Sequence, residues 1–395
     1  MPLVHDPSLP IYPAIDTASL RAWVDVDLDA LRRNAARLAH RAGVPLLPMI
    51  KADGYGLGMV PVAQALGAEF GAATSALPDV PIWGLGVATL DEAATLREAG
   101  CTARVLCTTP LTRAEQAWAA ALAVRPALHR ADDIDAWCHR ASQPWHLAID
   151  TGMARAGVRW DGVAGLADTL RRHPPEGVFT HFHSAECADG SRERQDERFG
   201  AALASLAEAL PAHVLRHRDN SAAVAARGTS PDAFVRPGIG LYGASETPWL
   251  ALEPVAHLRA RVVDIRVVQD GETVSYNGTW QAHGPRRIAT VAVGYGDGYH
   301  RALSNTGQAL LHGTRVPVVG NVTMDMVMLD VTALGDRCAI GDVVTLLGRD
   351  GDDTLTADEV AASGGLSPYE LLVGLRLRAV RRYHISPNAL VNASA

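Results

Sequence analysis

Lys51 is the only lysine in a chain of 395 residues, and the other 35 of its 36 Lys and Arg residues are arginine. A lysine amine can shed its proton and condense with a carbonyl, whereas a guanidinium stays protonated and cannot. The residues before it, Pro45-Leu46-Leu47-Pro48-Met49-Ile50, read as a short buried strand. Those after it, Ala52-Asp53-Gly54-Tyr55-Gly56-Leu57-Gly58, read as a glycine-rich turn. An apolar strand that delivers one amine into a tight turn has the form of a cofactor anchor. A plainer reading stays open beside it, a single lysine that escaped a strong arginine bias.

The elements around Lys51 follow an alternation. Apolar strands are expected near 46–50, 82–87, 104–107, 123–127, 145–149, 178–182, 213–217 and 234–241. Helical stretches, among them Leu90–Ala99, Thr112–Leu122, Asp161–Arg172 and Glu193–Leu210, lie between them. Eight strand–helix units predict an α/β fold, a (β/α)8 TIM-like barrel, because crossover helices force parallel strands. An open doubly wound sheet is the alternative, but no GxGxxG follows an early strand. Ahead of the barrel, Ala22–Asp27 alternates as a half-exposed strand, and Asp27 is placed to cap a helix with Leu28, Leu31, Ala35 and Leu38 on one face.

Beyond Trp249–Pro254 the pattern changes to runs of β-branched residues, Ala260–Val268, Arg287–Val293, Gln308–Leu311, Val316–Val319, Val327–Leu329 and Asp342–Leu347, with one short helix near Thr356–Ser363. This predicts a mostly β C-terminal domain. The expected division is a barrel over 18–248 and a β-rich domain over 249–395, with the lead-in and strand of residues 1–28 as candidates to pack against the latter.

In a barrel, chemistry gathers at the C-terminal ends of the strands. Lys51 follows the first strand, Arg155 the fifth, His181 ends the sixth, Asn220 and Ser221 follow the seventh, and Arg236, Gly238 and Ile239 lie at the eighth. Ser221 with the backbone amides of Gly238 and Ile239 forms a candidate phosphate cradle, since barrel phosphate sites follow strands seven and eight.

Composition excludes several classes. The formal net charge is −7 with no basic run, which disfavours nucleic acid as a partner. Cys101, Cys107, Cys138, Cys187 and Cys338 lack CxxC spacing, so neither a disulfide framework nor a zinc site is expected. No segment reaches a membrane-spanning apolar length, and the first residues lack the basic start and apolar run of a secretory signal. A cytoplasmic protein without metal is expected.

Ordered motifs then carry a resemblance: Lys51–Gly58; Gly86-Val87-Ala88-Thr89 with Glu92-Ala93; Asp150-Thr151-Gly152-Met153 with Arg155 and Gly157; Thr180-His181-Phe182; and Asn220-Ser221-Ala222-Ala223. Arg236-Pro237-Gly238-Ile239, Leu241-Tyr242-Gly243, Val274-Ser275-Tyr276, Gly294-Tyr295, Asp297-Gly298 and Met324-Asp325 follow in order. From Arg21 to Tyr383 the chain resembles the bacterial alanine racemases, enzymes that use pyridoxal 5′-phosphate (PLP). The resemblance implies that Lys51 holds PLP and serves as one catalytic base, with Tyr276 as the other on the opposite face. It implies Arg236 at the pyridine nitrogen supported by His217, His181 against the ring, Tyr55, Ser221, Gly238 and Ile239 at the phosphate with Asn220 beside them, Arg155 and the Met324 amide at the substrate carboxylate, and Tyr295 at the entrance. It further implies a homodimer in which Tyr276, Tyr295 and Met324 complete the other protomer's site.

The chemistry asks for such residues. Racemisation needs proton removal from one face and return on the other, which two bases supply. Because tyrosine's reference pKa is about 10, a cation is expected near Tyr276. A guanidinium can only donate, so Arg236 would leave a pyridine nitrogen unprotonated and suppress transamination. Each residue also has a plain structural role open to it: Tyr276 as an edge-packing tyrosine, His181 as a core histidine, Arg155 as a surface cation, Arg236 as an extended-strand residue.

Two positions depart from the family pattern. Ala148 stands where a carbamate-forming lysine is frequent, so an anion such as chloride, or another acidic group, is expected to balance Arg155. Leu377 stands where the family has a phosphate-contacting tyrosine. The activity implied is interconversion of L- and D-alanine for peptidoglycan precursors. The alternatives are a serine or broad-specificity racemase, a PLP-dependent amino-acid decarboxylase and a non-catalytic PLP carrier. Arg236 and the polar setting of Cys338 argue against the decarboxylase, and Tyr276 with Met324 against the carrier.

Overall fold

The computed structural model describes residues 19–70, 80–244, 250–375 and 378–386. The lead-in before residue 19, the expected domain boundary at 248/249 and Leu377 lie outside the described residues.

The parallel strands form a closed ring. Leu85–Val87, Val105–Pro110, Val124–Leu128, His146–Asp150, Gly177–Phe179 and Leu215–His217 pair in that order. Residues 233–236 join the last of these through Ala233 N–H to the Arg216 carbonyl (2.9 Å) and Arg236 N–H to the Asp219 carbonyl (2.8 Å). Leu46 bridges in parallel to both Ile82 and Val235, which shuts the barrel. The sixth strand stops at Phe179 and the eighth turns into a 3₁₀ segment, Ile239–Tyr242, both earlier than expected. Those early ends matter because they leave the Thr180 carbonyl and the Gly238–Gly240 amides free for side-chain partners.

The helix Leu28–Ala42 begins where expected, with Asp27 Oδ1 accepting the Ala30 N–H at 2.8 Å. Leu28, Leu31, Ala35 and Leu38 are buried, each large side chain contributing about 1.5–3 kcal/mol.

The second domain is built on a nine-stranded sheet whose long strand, Ala256–Val268, pairs with Ala22–Asp27, Arg286–Val291 and Val343–Asp350. Ala22–Asp27 is also parallel to Val380–His384, and its four central residues are buried. The half-exposed reading is therefore wrong. Asp25 alternates as a solvent-facing residue does, but it accepts from Trp23 Nε1, Arg259, Arg382 and His384. Burial pushes its pKa up, and these donors overcome that and hold it at about 2. A second helix, Pro368–Gly374, was not expected, although Ser367 caps it and Pro368 opens it. Cys338 closes the 3₁₀ segment Thr332–Arg337 and is itself buried, although the residues on both sides of it are exposed. Among the described residues no helix is long and apolar enough to cross a membrane, and no group of His, Cys, Asp or Glu is placed to hold a metal.

Candidate active site

Lys51 leaves the first barrel strand directly into a left-handed turn. Ala52, Asp53, Gly54 and Tyr55 have φ of 53°, 56°, 63° and 54°. Such backbone costs about 1–2 kcal/mol per non-glycine residue, so the surroundings must enforce it. Glu92 does so from the second strand's helix, accepting the N–H groups of Ala52 (2.6 Å), Ala88 (2.7 Å) and Thr89 (3.2 Å). From the other side, Asp53 accepts Met59 N–H at 2.9 Å and Arg381 Nη1 at 2.6 Å. The Lys51 pKa is lowered by burial and by the charge of Arg155, with Glu92 opposing. That favours the neutral, nucleophilic amine.

Arg236 and His217 are buried together. Nη1 donates to His217 Nδ1 and to its carbonyl, each at 2.8 Å, and Nη2 to the Thr180 (2.7 Å) and Arg218 (3.2 Å) carbonyls. Nη1 and Nη2 thus make all the hydrogen bonds of this guanidinium among the described residues, and Nε remains to donate. His181 lies 3.4 Å from Nη2. Burial and the charges of Arg236, Arg155 and Lys51 push the His181 pKa down to about 3, so its imidazole is neutral.

At the expected phosphate end, Ser221 Oγ accepts Gly238 N–H (2.9 Å) and Gly240 N–H (3.1 Å). Both lone pairs are occupied, and the hydroxyl proton is left to donate outward. The Gly238 amide therefore fixes Ser221 here. Asn220 Oδ1 caps the helix Ser221–Arg227 through Ala223 N–H at 2.9 Å. Tyr55 is buried and stacked on Tyr242 with centroids 4.6 Å apart. A Cβ on Gly238 would stand 2.2 Å from the Tyr55 hydroxyl oxygen, so only glycine admits that phenol beside the Gly238–Ile239 backbone.

Arg155 is exposed on the loop after the fifth strand and makes no ion pair with a described carboxylate. With His181, Thr108, Ala127, Ala148 and Phe179 it lines a cavity of about 40 Å³. Buried Gln195 ties the loops together, donating to Thr151 Oγ1 and the His181 carbonyl and accepting His183 N–H, each at 3.1 Å.

Lys51, Tyr55, Arg155, His181, His217, Asn220, Ser221, Arg236, Gly238 and Ile239 thus share one end of the barrel. Tyr276, Tyr295 and Met324 share a different surface, on the β domain. Asn321 Nδ2 donates to the Tyr276 carbonyl at 2.8 Å, and Tyr295 N–H to the Thr323 carbonyl at 3.0 Å. Tyr276 is 71% exposed and therefore no edge-packing residue. Its neighbours Ser275 and Asn277 are strained, with φ of 66° and 64°. The expected cation is not in contact with the Tyr276 phenol among this chain's described residues. His146, Glu176, Gln195 and Asn321 were missed in the sequence. Only His146, a lone polar residue in an apolar run, gave any signal.

Sequence and fold both match a known family. The sequence matches the profiles "Alanine racemase, N-terminal domain" over residues 26–246 and "Alanine racemase, C-terminal domain" over 255–383. The chain belongs to the alanine racemase family. The alanine racemase of Syntrophobacter fumaroxidans is 35% identical over 94% of this chain and 99% of its own length. That of Symbiobacterium thermophilum is 37% identical over 91% and 96%. Among solved structures, alanine racemase from Bacillus anthracis with bound L-Ala-P superposes with a TM-score of 0.82 at 32% identity, covering 97% and 98% of the two chains. The Bartonella henselae enzyme, described with covalently bound pyridoxal phosphate, gives 0.81 at 25% identity over 92% and 100%.

Proposed function

We propose that this protein is an alanine racemase that interconverts L- and D-alanine with PLP held at Lys51, acting as a homodimer in the cytoplasm. The observation that carries this reading is Arg236. It is a buried guanidinium held by His217 and backbone carbonyls, with no carboxylate of the described residues in contact and its Nε left to donate. A decarboxylase of related architecture would be expected to put a carboxylate there.

The residues fit the cofactor. The Gly238 floor beneath the Tyr55 hydroxyl and the outward Ser221 proton make a donor cradle suited to a phosphate, with the Ile239 amide beside it. Arg236 would face the ring nitrogen and, lacking any acceptor, leave it unprotonated. His181, kept neutral by burial and by the charges of Arg236 and Arg155, would lie against the ring. When bound, PLP supplies a conjugated system that takes up the charge left as the α-proton departs.

The chain's own part is to orient the substrate and handle that proton. Arg155 would grip the substrate carboxylate, with a monatomic anion in the Ala148 cavity balancing it. Lys51 would hold or return the proton at Nζ on one face. The phenol oxygen of Tyr276, contributed by the other protomer with Tyr295 and the Met324 amide, would do so on the opposite face. The strain on both sides of exposed Tyr276 supports this assignment, since such backbone persists where surroundings enforce it and clusters at working sites. The barrel over 18–248 and the β-rich domain over 249–395 remain our proposed division.

Borohydride treatment of the PLP-loaded protein, followed by peptide mass spectrometry, tests the reading. We expect the cofactor's mass on Lys51. A protein that takes up no PLP, or carries it elsewhere, would overturn it.

A further inference from the structure

The hydrogen bonds behind Arg236 run in one direction only. A guanidinium has no acceptor, so His217 Nδ1, 2.8 Å from Nη1, must present its lone pair. The proton of a neutral His217 is then on Nε2, which lies 2.7 Å from His146 Nδ1. That nitrogen must accept in turn, which puts the His146 proton on Nε2, 3.1 Å from Glu176 Oε2. The same oxygen receives Arg125 Nε at 2.6 Å. Reversing any link would set an N–H against an N–H. Every donor along the relay points from Arg236 toward Glu176.

The surroundings hold this order in place. His146 and His217 are both sealed from solvent. Phe179 and Phe234 stack on the two sides of His217, with centroids at 4.9 and 4.4 Å, and Trp83 meets His146 edge-on at 5.5 Å. Burial, aided for His217 by the charge of Arg236, lowers both histidine pKa values, although Glu176 pulls that of His146 upward. For Glu176, burial is unfavourable to the anion, but the hydrogen bonds from His146 and Arg125 prevail and keep it ionised.

We propose that Glu176, acting through His146 and His217, is the positioning residue for Arg236. It is a counter-ion set two imidazoles away, so that the guanidinium is oriented without any carboxylate touching it. A carboxylate in direct contact would absorb donor strength that the pyridine nitrogen is meant to receive. A neutral group at Glu176 would leave the His217 tautomer, which Arg236 dictates, in place but would remove the negative charge that polarises both imidazoles and the guanidinium behind them. This proposal rests on the reading of Arg236 as the residue facing PLP.

Nitrogen-15 NMR of the histidine rings in the PLP-loaded protein is the test, alongside Glu176→Gln. In the wild type we expect His146 and His217 both neutral and both protonated at Nε2. In Glu176→Gln the ring-nitrogen resonances of both histidines should shift. PLP should dissociate about tenfold more readily, the worth of one charge-assisted hydrogen bond, and kcat should fall with KM for alanine unchanged. Rescue by Glu176→Asp should be partial. A wild-type His217 protonated at Nδ1, or on both nitrogens, overturns the relay without any variant. So does a Glu176→Gln protein with unchanged ring spectra and unchanged PLP affinity. The ring spectra can be read whether or not PLP is bound, so a wild type that refuses PLP would sink the functional reading and leave the relay to be judged separately.

Discussion

The carboxylate of Glu92 accepts the backbone N–H of Ala52 at 2.6 Å, one residue beyond Lys51. This contact joins the second barrel strand's helix to the strained turn that aims the amine. Glu92→Gln keeps the size but loses the charge and turns an NH₂ group either toward the Ala52 N–H or toward those of Ala88 and Thr89, because these sit on different carboxylate oxygens. Charge-assisted bonds of this type contribute about 1.5–3 kcal/mol each. We predict a folded protein whose kcat/KM falls roughly 10–100-fold, measured with L-alanine under saturating PLP. An unchanged kcat/KM would show that the turn holds without Glu92.

Asn321 has the same relation to Tyr276. Its backbone carbonyl accepts Ser275 Oγ at 2.7 Å and its side-chain amide donates to the Tyr276 carbonyl at 2.8 Å, holding strained Ser275 and Tyr276 itself in place. Asn321→Ala should lower kcat about tenfold or more while PLP stays bound, because about 1–3 kcal/mol of restraint is lost at the phenol's turn. Tyr276→Phe should slow the proton transfer on its own face more than the reverse one, read from α-deuterium incorporation in each direction. Equal effects in both directions would remove the two-base assignment.

Arg155 has no carboxylate partner among the described residues, and a cavity of about 40 Å³ adjoins it beside Ala148. Chloride should therefore lower KM for alanine a few-fold when it replaces a bulky sulfonate at constant ionic strength, which keeps screening fixed. A KM indifferent to the anion would dismiss the proposed counter-ion.

Acid should destabilise the protein earlier than its carboxylates alone would dictate. His257 Nδ1 accepts Arg349 N–H at 3.0 Å, and burial with the Arg259 charge lowers its pKa to about 4. His146 and His217 are lowered as well. The unfolded chain binds protons at these sites below its ordinary value of about 6.5 while the folded one does not. Their contribution to stability is thus complete above about pH 6.5 and declines as pH falls toward 4, by up to ~1.4 kcal/mol per pH unit per histidine. Thermal unfolding of the cofactor-free protein between pH 8 and 4 checks this, and a flat profile down to pH 4.5 would contradict it.

Much of this was legible in the residues. The alternation of apolar runs and helical stretches placed every barrel strand within a few residues, since parallel strands buried on both faces leave a continuous apolar signature. The lone Lys51 and the polar residues at strand ends, read together, name the residues that the fold gathers at one end of the barrel. What escaped was what a local pattern cannot encode. Asp25 alternates like a surface residue, yet two arginines and a histidine from distant parts of the chain, Arg259, Arg382 and His384, close over it. Glu176 and Gln195 look like ordinary polar residues until folding sets them against His146 and His181. The positive φ at Ser275 has no signature in residue type, because serine is a poor choice for such backbone and its hydroxyl bond to the Asn321 carbonyl becomes visible only in the fold.

We propose that this chain inverts alanine with Lys51 as one of its bases. Chiral chromatography of L-alanine incubated with the PLP-loaded protein in D₂O tests it most directly. We predict approach to equal L- and D-alanine with deuterium at the α-carbon, the same from D-alanine, no turnover by Lys51→Ala, and slower conversion of serine. Alanine recovered unchanged from the wild type, or racemised by Lys51→Ala at the wild-type rate, would contradict the account.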